Sequence, residues 1–334
     1  MTAILPTGLS AVALHEELIV RKADVDLHAL ADLVGRIFPP RGRCTIERTE
    51  SGISTQVYRI RCGATAFYLR MAEERAASLA PEVQVHEVLR ARGVKVPAVV
   101  HFEPFDERLE RSVMVTAEIP GAPLADHPVD GATIAALRAA GRDLAVINSM
   151  PVHGFGWIKR ETDAVGPLQA EHETYRTFAL EQVEDDLAFL GQTVFTAAET
   201  VAIQGTIERY DAWLHVEQAW LAHGDFDVTH IYQHDGRYTG IIDFGEIRGA
   251  HQLYDLGHFN LHDGEVVPLM LLPSLLEGYR EVLPLPPDRA RWISLVSVLI
   301  GVRALARNLR RQPPNAYQRH LVSAIQRSIA LLNS

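Results

Sequence analysis

Imidazole and carboxylate side chains that could do chemistry gather in one short stretch, residues 223–245. His223 opens a loop that carries Asp225, and His230 follows five residues after that carboxylate. Asp243 closes the stretch directly after an apolar run. A loop carboxylate can accept the proton of a hydroxyl group, and carboxylate oxygens can hold a hard divalent cation. Residue types in this order are typical of a phosphoryl-transfer site.

A hairpin between the two polar ends must bring them together. Residues 231–233 and 238–242 have the composition of two short strands. Asp235 and Gly236 separate them, and both tolerate the positive φ that a two-residue hairpin turn requires. The sequence therefore predicts a loop, a hairpin and then an acid at the end of a strand, which directs the polar residues towards one place.

Each of these acids also has a purely structural interpretation. Asp225 in a turn could cap its own backbone, and Asp243 could cap the residues that follow Gly245. Asp227 could face a cationic substrate or form an Asx turn. Glu246 could reach towards a metal or be an acid at the start of a helix. The position of Asp243 at the end of an apolar strand favours a metal ligand there.

Other polar residues near this stretch fit structural roles better. We expect surface or packing positions for His258, His262 and Asp263, and a packing position for Trp157. Six acids after Gly156 fit a solvated helical face, with a cation-binding substrate wall as the alternative. These acids are Glu171, Glu173, Glu181, Glu184, Asp185 and Asp186.

Composition excludes some classes of function. The 334 residues carry 32 Lys and Arg against 42 Asp and Glu, which gives a net charge of −10. An acidic chain without a basic run repels a polyphosphate backbone, so we expect no nucleic-acid partner. With 47% hydrophobic and 22% charged residues, the composition is that of a globular protein with one large or two unequal domains.

The cysteines and apolar runs bear on the compartment. Cys44 and Cys62 lack a metal-site spacing, and we expect two reduced thiols in a cytoplasmic protein. The N-terminal residues lack the positive segment of a signal peptide. The longest apolar run, residues 292–302, is shorter than the roughly 20 residues of a membrane span. We therefore expect a cytoplasmic monomer or homodimer with no membrane partner.

The first third of the chain has the pattern of a small, β-rich unit. Apolar spacing at 24–37 predicts a helix with Asp24 as its N-cap, and a second predicted helix at 81–92 has Pro81 in its first turn. Short β-rich runs between turn residues predict an antiparallel meander. The predicted strands are 44–48, 57–61, 66–71, 98–102 and 112–116.

A Pro-Gly pair at 120–121 ends this strand pattern, and helical spacing dominates the rest of the chain. The predicted helices are 131–148, 170–190, 195–221, 266–281, 287–310 and 315–332. We therefore predict an α+β protein of two lobes. A small antiparallel-sheet lobe would span 1–117, a larger, mainly helical lobe would span 118–334, and a ligand cleft would lie between them.

The His-Gly-Asp loop, His230 and the Asp-Phe-Gly triplet that begins at Asp243 resemble the catalytic and metal-binding loops of the aminoglycoside and macrolide phosphotransferases. These are small-molecule kinases with a bilobal, protein-kinase-like fold. The resemblance implies that Asp225, in the loop opened by His223, is the base towards a substrate hydroxyl. It implies that His230 and Asp243 hold Mg²⁺ against the nucleotide phosphates. Asp255, in a later Tyr-Asp-Leu motif, would brace the catalytic loop from behind.

The same resemblance extends into the small lobe. Arg70 stands where the family has its phosphate-binding strand cation, and Glu82, with Glu87 as second choice, would be the acid that pairs with it. Backbone groups of Ala117 and Ile119 would bind the adenine edge. The nucleotide-positioning loop of the family corresponds to the first hairpin, with Ser51, Gly52, Ser54 and Thr55.

Three positions depart from the family pattern. His230 replaces a metal-binding Asn, which resembles the macrolide branch, and imidazole suits Mn²⁺ or Zn²⁺ better than Mg²⁺. Arg70 replaces a Lys and offers a planar fork to two phosphate oxygens. An exposed edge-strand charge is the alternative for Arg70. Residues 249–251 stand where Gly-Asp-Pro is common, and the sequence offers no physical account of that change.

The resemblance implies a kinase that transfers the γ-phosphate of ATP or GTP to a hydroxyl of a small, cationic substrate such as an aminoglycoside or macrolide, with Mg²⁺ or Mn²⁺ as cofactor. A role in antibiotic resistance would follow from the family alone. One alternative is a kinase-like protein that binds nucleotide with little turnover, and another is a kinase of an amino alcohol or sugar. A metal hydrolase is a third alternative, but it leaves Arg70, Glu82 and the Gly52 hairpin without a role.

Overall fold

The computed structural model describes residues 25–38, 44–49, 56–161 and 166–334. Within these ranges the chain forms a small lobe on one antiparallel sheet and a larger, mainly helical lobe. The predicted α+β, bilobal arrangement is therefore confirmed. Some residues of the sequence predictions lie outside the described ranges: Asp24, Ser51, Gly52, Ser54 and Thr55.

The sheet of the small lobe has five antiparallel strands in the order β1-β2-β3-β5-β4. All five predicted strands are present, because alternating burial and the turns between them are local properties of the sequence. The strands are β1 (Cys44–Arg48), β2 (Val57–Cys62), β3 (Thr65–Met71), β4 (Val99–Asp106) and β5 (Arg111–Ala117).

Helix α1 (Leu27–Ile37) covers one face of this sheet. Its apolar stripe buries Leu30 and Leu33 completely, against the central strands. The carboxylate of Asp26 accepts hydrogen bonds from two N–H groups of the first turn. Asp26 is therefore the N-cap of α1, so the predicted cap at Asp24 is wrong by two residues.

Helix α2 (Ala80–Ala91) connects the two lobes. Pro81 lies in its first turn, as predicted, because the missing N–H of proline costs nothing there. Val85 and Leu89 are fully buried in the same hydrophobic core as the large lobe. The side chain of Glu82, on this helix, is also fully buried. Helix α2 therefore carries a charge into the junction between the lobes.

The two cysteines are not reduced thiols, and that expectation is wrong. Cys44 and Cys62 lie directly opposite each other on β1 and β2, with their Cα atoms 4.3 Å apart, and they form a disulfide. The sequence shows only that they are 18 residues apart. Their pairing depends on the register of the two strands, which the spacing of the cysteines does not reveal.

The large lobe contains eight helices in the described part of the chain, and its long helices were predicted. The helices are α3 (Gly131–Ile147), α4 (Tyr175–Leu180), α5 (Val183–Thr193), α6 (Ala197–Arg209), α7 (Tyr254–His262), α8 (Leu272–Tyr279), α9 (Arg289–Arg311) and α10 (Ala316–Leu332).

Two small sheets lie between these helices. One has the order β12-β11-β6 and contains the predicted hairpin, in which Asp235 and Gly236 both have positive φ. The other has the order β7-β10-β13-β8-β9 and was not predicted. The strands are β6 (Ala122–Pro123), β7 (Pro151–Val152), β8 (Phe155–Ile158), β9 (Ala170–His172), β10 (Ala219–Ala222), β11 (Ile231–His234), β12 (Arg237–Ile241) and β13 (Arg248–Ala250).

Two predicted helices are wrong in part. The segment 170–190 begins as β9 and is broken between α4 and α5, where Gln182 has a φ of 60°. The segment 195–221 ends as β10, a buried strand that pairs with β13. Because β13 follows about 30 residues later, the pairing that makes β10 a strand is not visible in its local pattern.

Helix α8 begins later than the predicted 266–281, and the carboxylate of Asp263 explains why. It accepts hydrogen bonds from the N–H groups of Leu271 and Leu272, at 2.8 to 2.9 Å, at the start of the helix. Such a bond satisfies a donor that has no partner inside the helix. Asp263 is 4% exposed, in agreement with its expected structural role.

Helices α3 and α8 cross through two glycines. A Cβ atom on Gly141 would lie 2.2 Å from the carbonyl oxygen of Leu275, and one on Gly278 would lie 1.8 Å from that of Arg138. Real Cβ atoms do not approach backbone oxygens so closely. The two glycines therefore allow the helix backbones to pack in direct contact.

Helix α9 forms the centre of the large lobe. By length and composition it is the one described helix that could cross a membrane. However, 67% of its most apolar window is buried inside the protein, against neighbouring helices. This burial is typical of a core helix.

Candidate active site

The loop after β10 is held by one buried carboxylate, that of Asp255 on α7. It accepts hydrogen bonds from the N–H groups of His223 at 2.9 Å and Gly224 at 2.8 Å, and from the side-chain amide of Asn148 at 2.7 Å. Gly224 has a φ of +91°, and a Cβ atom there would lie 1.9 Å from the carbonyl oxygen of Glu246. The loop therefore requires glycine at this position, and Asp255 fixes it from behind.

The imidazole of His223 is buried beneath the loop. Its Nε2 atom lies 2.8 Å from the carbonyl oxygen of Ile242, and its Nδ1 atom accepts a hydrogen bond from the N–H of Asp225 at 3.3 Å. A carbonyl oxygen can only accept, so the proton is on Nε2. Burial lowers the pKa of His223 and so favours this neutral form. His223 thus joins the loop of Asp225 to the strand that precedes Asp243.

The carboxylate of Asp225 is half-exposed and lies against His258 of α7. The Nε2 atom of His258 is 3.3 Å from its Oδ1 atom. Burial alone would raise the pKa of Asp225, but the hydrogen bond and positive charge of His258 outweigh burial and hold the pKa well below its usual range. The sequence analysis favoured a surface or packing role for His258. Its spacing of three residues from Asp255 on one helix face is the signal that could have placed it at the loop.

His230 lies between the two acids of the stretch. Its Nδ1 atom donates a hydrogen bond to the carbonyl oxygen of Asp225 at 2.7 Å, and its Nε2 atom lies 3.9 Å from Oδ2 of Asp243. Burial lowers the pKa of His230, but the negative charges of Asp227 and Asp225 outweigh it and raise the pKa overall. The backbone hydrogen bond orients the ring, so that Nε2 points towards Asp243.

Asp243 caps the chain that follows it and also makes an ion pair. Its φ is 64°, and its Oδ1 atom accepts hydrogen bonds from the N–H of Gly245 at 3.3 Å and from Nη1 of Arg70 at 3.1 Å. Burial would raise its pKa, but the charges of Arg70 and His230 outweigh burial and lower it. The capping interpretation is therefore correct without excluding a charged role.

Arg70 lies on β3, at the centre of the sheet, so the alternative of an exposed edge-strand charge is wrong. Its Nη1 atom is 3.2 Å from Oε2 of Glu82, whereas Glu87 on the same helix is exposed. Its guanidinium also packs against the triplet, since a Cβ atom on Gly245 would lie 2.0 Å from Nη2 of Arg70. Arg70 thus bridges α2 and the loop that Asp243 opens.

A second arginine, which the sequence analysis did not single out, joins this network. Arg160 follows β8 and donates hydrogen bonds to the carboxylate of Glu82 and to the carbonyl oxygen of Gly245. No motif in the sequence marks it, because it reaches both partners across the fold.

The residues of the stretch also fit a divalent cation. Among the described residues, Asp225, Asp227 and His230 form a group of three whose ligand atoms all lie within 4.8 Å of one another. Asp227 already accepts hydrogen bonds from the N–H and hydroxyl of Thr229, at 2.7 and 2.5 Å, which is the Asx turn left open by the sequence. Asp227 and Asp243 each use Oδ1 for two hydrogen bonds, and Nε2 of His230 points towards the second carboxylate oxygen of Asp243.

A shallow depression opens beside Asp227 and is bordered by polar and apolar side chains. Its lining includes Asp227, His262, Asp263, Glu265 and Val267. His262 lies 2.8 Å from Glu265 and its ring stacks on Tyr317, in agreement with the expected packing position.

Glu246 faces the large lobe, with its carboxylate 3.0 Å from Nη2 of Arg248. Burial raises its pKa. The guanidinium of Arg248 also stacks 4.2 Å from the ring centre of Trp157, which confirms the packing role of that tryptophan.

Residues 249–251 now have a physical account. Gly249 and Ala250 belong to β13 and pair with β10, and His251 stacks on Trp292 with ring centres 3.7 Å apart. The ring planes differ by 8°, and burial lowers the pKa of His251 to about 4. These residues build the sheet beneath the catalytic loop.

Two of the six acids after Gly156 form ion pairs with α9. Asp186 is 3% exposed and lies 2.6 Å from Nη1 of Arg310, while Glu181 lies 3.1 Å from Nη2 of Arg303. The expectation of a solvated face is therefore wrong for the buried Asp186, whereas Glu181, with 42% of its side chain exposed, agrees with it.

At the connection between the lobes, sheet hydrogen bonds continue past β5. The N–H of Ala117 donates to Ala98 at 2.8 Å, and the N–H of Glu118 donates to Ala66 at 3.1 Å. The adenine edge would therefore have to meet the carbonyl of Ala117 or the backbone of Ile119.

Comparisons with known proteins identify a family and a shared fold. A family model described as the phosphotransferase enzyme family matches residues 45–292. No curated protein matches the chain significantly.

Solved structures resemble the whole chain. A thermostable mutant of the aminoglycoside phosphotransferase APH(4)-Ia, in a ternary complex with AMP-PNP and hygromycin B, is 16% identical with a TM-score of 0.62, over 91% of this chain and 98% of that one. A putative aminoglycoside phosphotransferase from Ralstonia eutropha is 13% identical with a TM-score of 0.61, over 92% and 96%. A putative fructosamine-3-kinase from Haemophilus somnus is 11% identical with a TM-score of 0.58, over 92% and 98%. At these identities the likeness shows a shared fold.

Proposed function

The chain belongs to the phosphotransferase enzyme family, and we propose that it uses ATP to phosphorylate a hydroxyl of a small, amine-bearing molecule, with Asp225 as the base. The family makes it a small-molecule kinase with an alcohol group as acceptor. The proposal goes further, because it assigns the residues that perform the transfer and the chemical class of the acceptor.

The observation that supports the residue assignment is one unbroken line of polar contacts. It runs from the backbone carbonyl oxygen of Asp225 to Nδ1 of His230 at 2.7 Å, from Nε2 of His230 to Asp243 at 3.9 Å, and from Asp243 to Arg70 at 3.1 Å. It ends at the buried carboxylate of Glu82, 3.2 Å from Arg70. Phosphoryl transfer needs a base, two ligands for a metal ion, and a positively charged side chain at the phosphates that a further residue holds in place.

Asp225 would orient the acceptor hydroxyl and take its proton. Its low pKa keeps the carboxylate ionised, and a weakly basic carboxylate is sufficient when the proton leaves late. Phosphoryl transfer proceeds through a loose transition state, in which positioning and charge neutralisation supply most of the acceleration. Asp225 would thus act mainly by alignment.

His230 and Asp243 would hold the divalent cation, Mg²⁺ in the first instance and Mn²⁺ as the alternative. When bound, such an ion neutralises charge on the phosphate oxygens. Arg70, fixed between Glu82 and Asp243, would add a second positive group for those oxygens. Ile119 and the carbonyl of Ala117 would meet the base of ATP or GTP.

The acceptor assignment rests on charge and shape around Asp227. The depression beside it presents the carboxylates of Asp227 and Glu265. Such acids favour a cationic group on the acceptor. The solved relatives are called aminoglycoside phosphotransferases and fructosamine kinases, and both names denote amine-bearing polyols. An acceptor that carries an amine a few bonds from its reactive hydroxyl fits both observations.

A panel of hydroxyl-bearing acceptors, offered with ATP and with GTP, tests the proposal. We expect phosphate transfer to an amine-bearing member of the panel, and we expect Asp225→Asn to abolish it. Nucleotide binding without transfer to any acceptor would favour the nucleotide-binding alternative. Phosphoester cleavage without nucleotide binding would favour the metal hydrolase.

A further inference from the structure

Arg160 connects three separate parts of the molecule. It follows β8 in the large lobe, and its backbone carbonyl accepts a hydrogen bond at 2.7 Å from the N–H of Ser78, just before α2. Its Nη1 atom donates to the carboxylate of Glu82, and its Nη2 atom donates to the carbonyl oxygen of Gly245 at 2.6 Å. One guanidinium therefore touches the small-lobe helix and the loop that follows Asp243.

Glu82 depends on this contact. Its side chain is fully buried, and an ionised carboxylate without partners is costly in such an environment. Within the described residues, the hydrogen bond that Glu82 accepts comes from Arg160. Arg70 lies 3.2 Å away as an ion pair, without the geometry of a hydrogen bond, and Oε2 of Glu82 has no hydrogen-bond donor there.

The two arginines therefore have different hydrogen-bond partners: Arg160 donates to Glu82, and Arg70 donates to Asp243. Nη1 of Arg70 lies between the two carboxylates, 3.2 Å from Oε2 of Glu82 and 3.1 Å from Oδ1 of Asp243. Because Arg160 carries the hydrogen bond to Glu82, this nitrogen can donate its hydrogen bond to Asp243. Without Arg160, the buried charge of Glu82 would draw Arg70 towards itself. The phosphate-binding cation would then leave the position beside Asp243.

The contact is part of a wider junction. The side-chain amide of Gln84 on α2 donates a hydrogen bond to the carbonyl oxygen of Gly166 at 3.1 Å. The chain segments on both sides of residues 162–165 therefore meet α2. These segments and the connection at 117–121 join the lobes at two separate places.

We propose that Arg160 is a positioning residue, which holds Glu82 and the carbonyl of Gly245 together so that Arg70 stays aligned for the nucleotide phosphates. This inference rests on the proposed function, because it assigns Arg70 to the nucleotide. Arg160 acts through Glu82, Gly245 and Arg70 and does not itself touch the phosphates.

Nucleotide binding to the full chain tests the inference, with AMP-PNP and Mg²⁺ as the probe and calorimetry as the measurement. We expect Arg160→Ala to raise the Kd about tenfold, which is the scale of one lost charge-assisted contact. Arg160→Lys keeps the charge beside Glu82 but lacks the fork that reaches Gly245, so we expect a smaller increase. Lys159→Ala removes a neighbouring cation outside this network and should leave the Kd unchanged.

The melting temperature without nucleotide separates positioning from a merely structural role. Arg160→Lys should melt close to the parent protein, so a raised Kd in this variant reports alignment and not unfolding. An unchanged Kd in both Arg160 variants would overturn the inference while the proposed function stands. Failure of the parent protein to bind AMP-PNP with Mg²⁺ would overturn the proposed function, and this inference with it.

Discussion

The Nε2 atom of His258 lies 3.3 Å from the Oδ1 atom of Asp225, while its Nδ1 atom lies 3.2 Å from the carbonyl oxygen of Phe226. Both ring nitrogens therefore face oxygen atoms that can only accept. The ring satisfies both when it carries two protons. Burial opposes that charge, but the hydrogen bond and charge of Asp225 outweigh burial and raise the pKa of His258. His258 holds one oxygen of Asp225, and in the proposed function the other oxygen would receive the acceptor hydroxyl.

Loss of this contact should slow phosphate transfer. We expect His258→Ala to lower kcat about 10- to 100-fold, because Asp225 loses its orientation, with a smaller effect on the KM for ATP. His258→Gln places a neutral N–H donor near the same oxygen and should retain more of the activity. Steady-state kinetics with the acceptor from the panel measures both effects.

The pH dependence of kcat distinguishes the parent protein from His258→Gln. The pKa of His258 is raised in the folded protein, so the doubly protonated ring is present at low pH and is lost as the pH rises through the raised pKa. We expect kcat of the parent protein to fall as the pH rises above the pKa of His258. In His258→Gln, which has no ring to deprotonate, kcat should not show this fall. Identical profiles in the two proteins would contradict the role of His258.

Removal of the Asp243 carboxylate should abolish metal-dependent nucleotide binding. The carboxylate of Asp243 contacts Arg70 and lies near Nε2 of His230. Because the side chain is 47% exposed, Asp243→Ala removes a proposed metal ligand without opening a cavity. We expect the fold to persist with a modestly lower melting temperature, because the cap on the N–H of Gly245 is lost as well. Titration with Mg²⁺ and AMP-PNP, with Asp235→Ala in the exposed hairpin turn as control, measures the loss. Parent-like affinity in Asp243→Ala would refute the metal assignment.

The stack of His251 on Trp292 should make stability depend on pH. The pKa of His251 is about 4 in the folded protein, against an ordinary value of 6.5. Between these values the unfolded chain binds more protons, so the free energy of unfolding falls as the pH is lowered from 6.5 to about 4. The loss amounts to at most about 3 kcal/mol.

His251→Phe keeps an aromatic ring against Trp292 and cannot titrate. We expect its melting temperature to fall less steeply than that of the parent protein between pH 6.5 and pH 4. Other groups titrate in this range in both proteins, so the difference between the two curves is the quantity to compare. If the melting temperatures of the two proteins fell in parallel with pH, protonation of His251 would not destabilise the folded protein.

The crossing of α3 and α8 should tolerate no side chain at Gly278. A Cβ atom there would lie 1.8 Å from the carbonyl oxygen of Arg138, so Gly278→Ala must push the two helices apart. We expect a loss of about 3 kcal/mol in the free energy of unfolding. Gly205 lies at an exposed position of α6, and no atom lies within 4 Å of a Cβ added there. Gly205→Ala should therefore raise the free energy of unfolding by about 1 kcal/mol. Urea unfolding of both variants checks the contrast.

The parts that the sequence could predict are those whose partners lie close along the chain. Asp225, His230 and Asp243 fall within 19 residues, and the hairpin turn at 235–236 is sufficient to bring them together. The strands and long helices follow from local periodicity in the same way. The bilobal arrangement then follows from the order of strands and helices.

The parts that the sequence could not predict depend on distant partners. Arg160 meets Glu82 across 78 residues, and the disulfide depends on the register of β1 against β2. Strand β10 needs β13 to be a strand at all. Such contacts follow from packing of the whole fold, so no local pattern reveals them.

The three-donor arrangement around Asp255 also has a consequence for the order of folding. Asn148, one of its donors, lies 107 residues away along the chain. Contacts between such distant segments form late, because the entropy of closing a long loop is lost before the contact is gained. The loop that carries Asp225 therefore takes its shape only after α3, β10 and α7 have docked. On refolding, phosphate transfer would return with the last phase, well after the helices have formed.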